Sequence, residues 1–273
     1  MKYAKRISNY SLFYVIILTG DSMDNMITIF DDQDACINIS ESLMDQKDYI
    51  ISKLKERLDF YKKIFNQEEL DKLTYIMFDD LEIYRNTMLS KYNYNCPEYS
   101  RGMFSMNSKS SFVCITPEVK QDKNRLHKML LSNAHEAFHY YYRKYIYQQP
   151  ENRVIWFDEG IAQYFSGEYE FLVDEEFKNF YGKWKSEYIP INNLNDRIQG
   201  RSDVPDELIF KREGVFNGYN TSYLIVRYLV ETKGEQYIID LMKDRDRILE
   251  LGNSNIIEEM KEYYLKKLTS KVL

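Results

Sequence analysis

Hydrophobic residues recur along the first half of the chain in two spacings, one typical of short buried strands and one typical of amphipathic helices. The predicted strands cover residues 12–18, 73–78 and 112–115, and the predicted helices cover residues 40–66, 81–90 and 122–147. The stretch 91–111 is rich in Asn, Ser and Tyr and predicts a loop with irregular strand around Gly102. Short strands and helices therefore alternate, which indicates an α/β lobe with a small mixed sheet.

After Pro150 the spacing is that of helices almost throughout. Helices are predicted around residues 159–164, 171–186, 219–232, 235–249 and 254–270. A polar segment at 187–215, which contains two prolines, separates the second of these helices from the third. The sequence thus predicts an α+β fold, with an N-terminal α/β lobe at 1–149 and a C-terminal helical lobe at 150–273 that together form one domain.

The N-terminus has two interpretations. Basic residues precede the apolar run at 12–18, as in a secretory signal peptide, but the run is short and no small-x-small cleavage site follows it. β-Branched and aromatic residues bounded by Gly20-Asp21 suit a buried strand. We therefore expect a strand and a cytoplasmic protein, with secretion as the alternative if residues 1–20 are a signal peptide. No stretch reaches the roughly 18 apolar residues that a membrane span needs.

Composition and charge exclude several classes of protein. Only 10 Gly and 5 Pro occur in 273 residues, which excludes collagen-like, proline-rich and Gly/Ser-linker sequences. The 37 basic and 43 acidic residues give a net charge of −6, whereas nucleic-acid-binding proteins usually present a basic face. Cys36, Cys96 and Cys114 form no CxxC pair, so they predict free thiols rather than a disulfide framework or a cysteine zinc site.

The candidate chemistry lies in the helix predicted at 122–147, which carries all three histidines of the chain, His127, His135 and His139. Because His135 and His139 are four residues apart, both imidazoles lie on one helix face and can reach one ion. Neutral imidazole is a good zinc ligand, and Glu136, beside the first of the two, can polarise a metal-bound water. The spacing predicts a two-histidine metal site.

A catalytic zinc site takes three protein ligands and leaves one position open. The third ligand should be a His, Glu or Asp from the next element, and Glu159 follows His139 by 20 residues. A reversal of the chain and an antiparallel second helix would return Glu159 to the two histidines. The open fourth position, with no further Cys or His nearby, argues against a purely structural zinc site.

The segments that carry these residues, HEAFH at 135–139 and WFDEGIA at 156–162, resemble the gluzincin zinc metallopeptidases. This is the peptidase MA-like group with thermolysin-like and aminopeptidase-like members, and the resemblance covers about residues 70–234. It implies a zincin-type fold, one Zn²⁺ ion and a peptide or protein substrate. It also implies the site roles, with Glu136 as general base and with three zinc ligands, His135, His139 and Glu159.

The same resemblance implies two further elements of the site. One is the strand formed by Phe112, Val113, Cys114 and Ile115, which stands where the family places the edge strand that pairs with an extended substrate. The other is Tyr219, which begins a segment similar to the family's helix with a catalytic tyrosine at its start.

Tyr219 also has a physical argument in its favour. Peptide hydrolysis passes through a tetrahedral oxyanion, which needs a hydrogen-bond donor besides zinc. No His follows His139 in the sequence, and His127 lies two helical turns before His135, about 12 Å away. A phenol is therefore the remaining donor. Tyr223, one turn further on, is the competing candidate, and both tyrosines could instead be core aromatics.

The sequence departs from the family pattern in places that bear on function. Aminopeptidase-like members carry a G-x-M-E-N stretch whose Glu holds the substrate amine, whereas residues 102–107 contain no Glu, which favours cleavage within a peptide. Thermolysin-like members place an Asp four residues after the third ligand. Gln163 stands there instead and can accept an imidazole N–H without a charge. Asp158 is the other candidate partner for a zinc histidine, or else a helix cap.

Two alternatives stay open on the same scaffold: an aminopeptidase rather than an endopeptidase, and a non-catalytic zinc-binding regulatory or binding protein. The intact Glu136 argues against the non-catalytic alternative, because a protein that only binds zinc has no use for a general base.

Overall fold

The computed structural model describes residues 26–96, 100–188, 194–197 and 218–270. The strand predicted at 12–18, the signal-peptide alternative and most of the polar segment 187–215 lie outside those residues. Within them the architecture is mixed α and β, as the hydrophobic pattern predicts, and none of the described helices is both long and apolar enough to cross a lipid bilayer.

A five-stranded mixed sheet occupies the first half of the described chain. Its strands are β1 (Met26–Asp31), β2 (Ala35–Ser40), β3 (Leu73–Phe78), β4 (Gly102–Ser105) and β5 (Ser110–Cys114). They lie in the order β1-β2-β3-β5-β4. The β2–β3 and β3–β5 pairs are parallel, whereas β1 and β4 run antiparallel to their neighbours. The short strand β4 therefore forms one edge of the sheet.

The prediction that Phe112, Val113, Cys114 and Ile115 belong to the edge strand is wrong. These residues lie in or directly after β5, which pairs with β3 on one side and with β4 on the other. All four side chains are fully buried. They alternate between two apolar clusters, one beneath each face of the sheet. A continuous apolar run buried on both faces is typical of an internal strand.

The helices account for most of the remaining residues, and a 3₁₀ segment at Glu41–Gln46 precedes the first of them. They are α1 (Lys47–Phe65), α2 (Leu81–Tyr92), α3 (Pro117–Lys120), α4 (Lys123–Tyr142), α5 (Ile155–Phe165), α6 (Asp174–Glu187), α7 (Gly218–Lys233), α8 (Glu235–Leu241), α9 (Arg245–Gly252) and α10 (Ile256–Ser270). The single helix predicted at 235–249 is two helices, because the Asp244 side chain accepts from Arg247 N and begins α9 there.

Helix α4 contacts both the sheet and α1. Asp122 caps its N-terminus by accepting from Asn124 N and Arg125 N at 3.0 and 3.1 Å. Further along, the Ser111 hydroxyl on β5 donates to Asn133 Oδ1 at 2.6 Å, and the Tyr61 hydroxyl on α1 donates to Ala134 O at 3.0 Å. Because buried polar groups need partners, these bonds fix the position of α4 relative to β5 and α1.

Helices α5 and α7 approach each other very closely at Gly160. A Cβ atom there would lie 2.6 Å from the Ser222 carbonyl oxygen and 2.7 Å from Val226 Cγ2, so only glycine fits between the helices.

One hydrophobic core runs from Ala35 on β2 to Tyr264 on α10. The division into lobes at residues 149 and 150 stays a prediction.

Candidate metal centre

Two consecutive turns of α4 and the first turns of α5 bring three ligand atoms together. His135 Nε2 and His139 Nε2 lie 2.9 Å apart. Glu159 Oε2 lies 3.4 Å from the first nitrogen and 3.3 Å from the second. The three residues thus form a group that could hold one metal ion.

The geometry and chemistry of this group fit a metal. Ligand atoms at 2.0–2.1 Å from a tetrahedral ion are separated by about 3.3 Å, close to the three distances above. Glu159 Oε2 is buried and has no hydrogen-bond partner in the described part of the chain, although two imidazole nitrogens face it. A buried acceptor without a partner is costly, and a cation among the three atoms would satisfy it. Two imidazoles and one carboxylate are a donor set that zinc accepts.

Asp158 and Arg153 support two of the ligands from outside the group. Asp158 Oδ1 lies 2.8 Å from His139 Nδ1, which leaves His139 Nε2 directed at Glu159. Arg153 donates from Nε to Asp158 Oδ2 and from Nη2 to Glu159 Oε1, the second bond at 2.8 Å. Burial raises the pKa of Asp158, but the charges of His139 and Arg153 outweigh it and hold that pKa below its usual value. Asp158 is therefore an ionised partner of His139 and does not cap α5, whose N-cap is Val154.

The partner of His135 is Glu168, which the sequence analysis missed. Glu168 Oε2 lies 3.4 Å from His135 Nδ1, and Glu168 Oε1 accepts from the Ser132 hydroxyl at 2.8 Å. Gln163, predicted for such a role, lines the cavity beside the group, but its Oε1 has no hydrogen-bond partner among the described residues. The signal for Glu168 in the sequence is the preceding glycine, which predicts a turn after the helix. In the structure Gly167 has φ +77° and turns the chain shortly after α5.

Metal binding to this group depends on the protonation of its histidines. Burial lowers the pKa of His139, but Asp158 and Glu159 outweigh burial and raise that pKa to about 9. A metal ligand must be deprotonated, so an ion entering this group would release protons and would bind more tightly as pH rises.

Glu136 lies beside the ligand atoms without belonging to them. Its side chain lines the same cavity as His135 and His139. Burial raises the pKa of the Glu136 carboxyl, and the charges of the two histidines oppose that effect. The edge strand β4 starts next to it, since a Cβ atom on Gly102 would lie 4.0 Å from Glu136 Oε1.

The cavity over the group has a volume of about 580 Å³ and includes Tyr219 in its wall. Tyr219 is 37% exposed at the start of α7. Tyr223, the competing phenol, is buried in the core, where its ring lies 4.5 Å from that of Tyr169 and its hydroxyl accepts from Arg227. His127 is also remote from the group, with its Nε2 3.0 Å from Gly167 O. Of these candidates only Tyr219 lies at the cavity.

Glu168→Gln is expected to weaken zinc binding by about 10- to 100-fold, because it removes the charge that orients His135. The measurement is a competition titration of zinc against a chelator of known affinity. Glu170→Gln is the matched control, since Glu170 lies two residues further on and pairs with Lys53 and Arg57 instead. Equal zinc affinities for the two variants would show that Glu168 does not support the site.

The fold and the site together define an α+β protein with a buried two-histidine, one-carboxylate group that could bind a metal ion. No known protein family matches the chain, and neither does any curated protein. Among solved structures, the chain is similar to an aminopeptidase N family protein from Idiomarina loihiensis, with a TM-score of 0.50 and 11% identity. The similarity covers 85% of this chain and 41% of that chain. At such identity it shows a likeness of fold alone, and this chain corresponds to less than half of the other protein.

Proposed function

We propose that the protein is a zinc-dependent peptidase that hydrolyses bonds within peptide chains. The observation that carries this proposal is the convergence of His135, His139 and Glu159 on one point, with Glu136 beside it in an open cavity. A general base next to a three-ligand zinc site is the arrangement that metal-assisted hydrolysis needs.

The roles of the residues follow from their positions. Zinc held by the three ligands would supply Lewis-acid activation of the scissile carbonyl and of a water molecule. Glu136 takes the proton from the attacking water and passes it to the leaving amine. Tyr219 donates its phenol hydrogen to the oxyanion of the tetrahedral intermediate. Asp158 and Glu168 keep His139 and His135 in the ligating orientation.

The substrate is expected to lie along β4. Its outer edge has no partner strand among the described residues, and it begins beside Glu136. An extended peptide could therefore add to the sheet as a further strand and present its backbone to the metal centre. This placement replaces the one expected from residues 112–115.

The test combines metal analysis with a cleavage assay on the purified chain. We expect about one zinc ion per chain by atomic spectroscopy, and cleavage of internally quenched peptides from a mixed library. Treatment with a chelator should abolish cleavage, and added zinc should restore it. Stoichiometric zinc without cleavage of any peptide would refute the proposal and favour the non-catalytic zinc-binding alternative.

A further inference from the structure

The acidic and basic side chains on the cavity wall differ in whether they already have a role in the metal centre. Three carboxylates line the described part of the cavity, and all of them already belong to the metal centre, namely Glu136, Glu159 and Glu168. Four cationic side chains line it as well, namely Arg101, Lys128, Arg143 and Arg153. The wall therefore offers a substrate positive charge and no uncommitted carboxylate.

Three of the four cations have a partner within the protein. Arg153 pairs with Asp158 and Glu159. Lys128 donates to the Tyr169 hydroxyl at 2.6 Å, and Arg101 donates from Nη1 to Ser100 O at 3.0 Å.

Arg143 differs from these three. Within the described ranges it forms no ion pair and no side-chain hydrogen bond, although it is half-buried in the cavity wall. A guanidinium removed from part of its water and left without an anion is expected to bind one when a suitable ligand enters.

Arg143 lies close to the metal group along the chain and lines the same cavity. Its backbone N–H donates to His139 O at the end of α4. His135, His139 and Arg143 follow one another at intervals of four residues, so they lie along one helix face. One turn of helix separates Arg143 from His139, about 6 Å along the axis. A substrate group that reaches Arg143 therefore lies within one or two residues of a bond held at the metal centre.

We propose that Arg143 binds a carboxylate of the substrate, so that the enzyme selects peptides with a negative charge close to the scissile bond. This inference rests on the proposed peptidase function and names its substrate class. Arginine suits the role because its planar guanidinium pairs with a carboxylate through two parallel hydrogen bonds. The carboxylate is either the C-terminus of a peptide or an Asp or Glu side chain. A free amine finds no uncommitted carboxylate on the described wall.

The test measures binding rather than turnover, so that it does not depend on catalysis. Zinc-loaded Glu136→Gln protein is titrated by calorimetry with four peptides of one sequence. The four peptides differ only in the C-terminus, free or amidated, and in one residue, Glu or Gln. The set is repeated with that residue at each position of the peptide in turn. We expect at least tenfold tighter binding when the recognised carboxylate is present, as one charge-assisted pair provides. The C-terminal arm and the side-chain arm show which carboxylate is recognised.

Variants at Arg143 assign the preference to this residue. In the same Glu136→Gln background, Arg143→Gln should remove the preference for the charged peptide, and Arg143→Lys should keep part of it. Arg125→Gln is the matched control, because Arg125 is exposed on the first turn of the same helix and does not line the cavity. It should keep the full preference. Zinc content and circular dichroism establish that each variant is folded.

Two results would overturn the inference: equal affinity for all four peptides at every scanned position, or a preference that survives Arg143→Gln. A failure of the proposed function is a different result. If the charged peptide binds through Arg143 but the wild-type protein cleaves no peptide, the carboxylate site stands and the peptidase proposal fails. If the wild-type protein cleaves charged and neutral peptides equally, the peptidase stands and the carboxylate site fails.

Discussion

Replacing Glu136 with Gln is expected to leave zinc binding unchanged and to lower the rate of peptide hydrolysis by about 10²- to 10⁴-fold. Gln has almost the same size and shape as Glu but cannot accept the proton of the attacking water. The group that could hold the metal consists of His135, His139 and Glu159, so we expect the substitution to leave that group intact. The measurement is kcat/KM on a peptide that the wild-type protein cleaves, with zinc content determined in parallel.

A matched control separates this effect from a general loss of charge. Glu118→Gln makes the same chemical change at an exposed position and should hydrolyse peptides at the wild-type rate. A Glu136→Gln protein that is as active as the wild type would exclude the proposed general base. A variant that also loses zinc would show that Glu136 supports the metal site rather than proton transfer.

His139→Ala is expected to abolish both zinc binding and hydrolysis. Removal of one of three ligands should cost more than the 10- to 100-fold in affinity that a supporting residue contributes. When the free zinc concentration is 1,000 times the Kd, zinc binding stabilises the folded state by about 4 kcal/mol. A thermal melt with and without zinc should therefore show a rise in Tm for the wild type and none for the variant.

His127→Ala is the control for this experiment, since it removes a histidine from the same helix. His127 contacts Tyr49 and Gly167 and lies outside the metal group. Its loss should lower Tm in the absence of zinc and leave the zinc-dependent rise in place. If His139→Ala keeps that rise, zinc binds elsewhere in the protein.

Local periodicity explains why the three ligand candidates could be identified from the sequence. The four-residue interval between His135 and His139 needs only a helix to bring both side chains to one side. Helix α4 forms because apolar residues follow its buried face. Glu159 needed one further assumption, a short reversal into a second helix, and residues 143–154 provide it. The strand at 73–78 was equally clear, because every residue of β3 except Thr74 is apolar or aromatic.

The features that were missed depend on contacts that no repeating spacing of residues encodes. Whether a strand lies at the edge depends on which strand joins its other side, and the four-residue β4 gave only a faint signal. Glu168 reaches His135 through a glycine turn, and Arg153 joins Asp158 to Glu159 across the start of α5. No periodicity encodes such pairs, because the first depends on how the chain after α5 packs against α4 and the second on the path of the chain into α5.

The contact at Gly160 has a mechanical consequence. Gly160 directly follows Glu159, and the carbonyl that it touches belongs to Ser222, one turn after Tyr219. Main-chain atoms have no alternative rotamers, so no change of side-chain conformation can alter this approach, and we expect α5 and α7 to move together. The separation between Glu159 and Tyr219 is then set before any substrate arrives. We therefore expect β4 to adjust to substrate side chains of different size, because among the described residues it has a neighbouring strand on one side only.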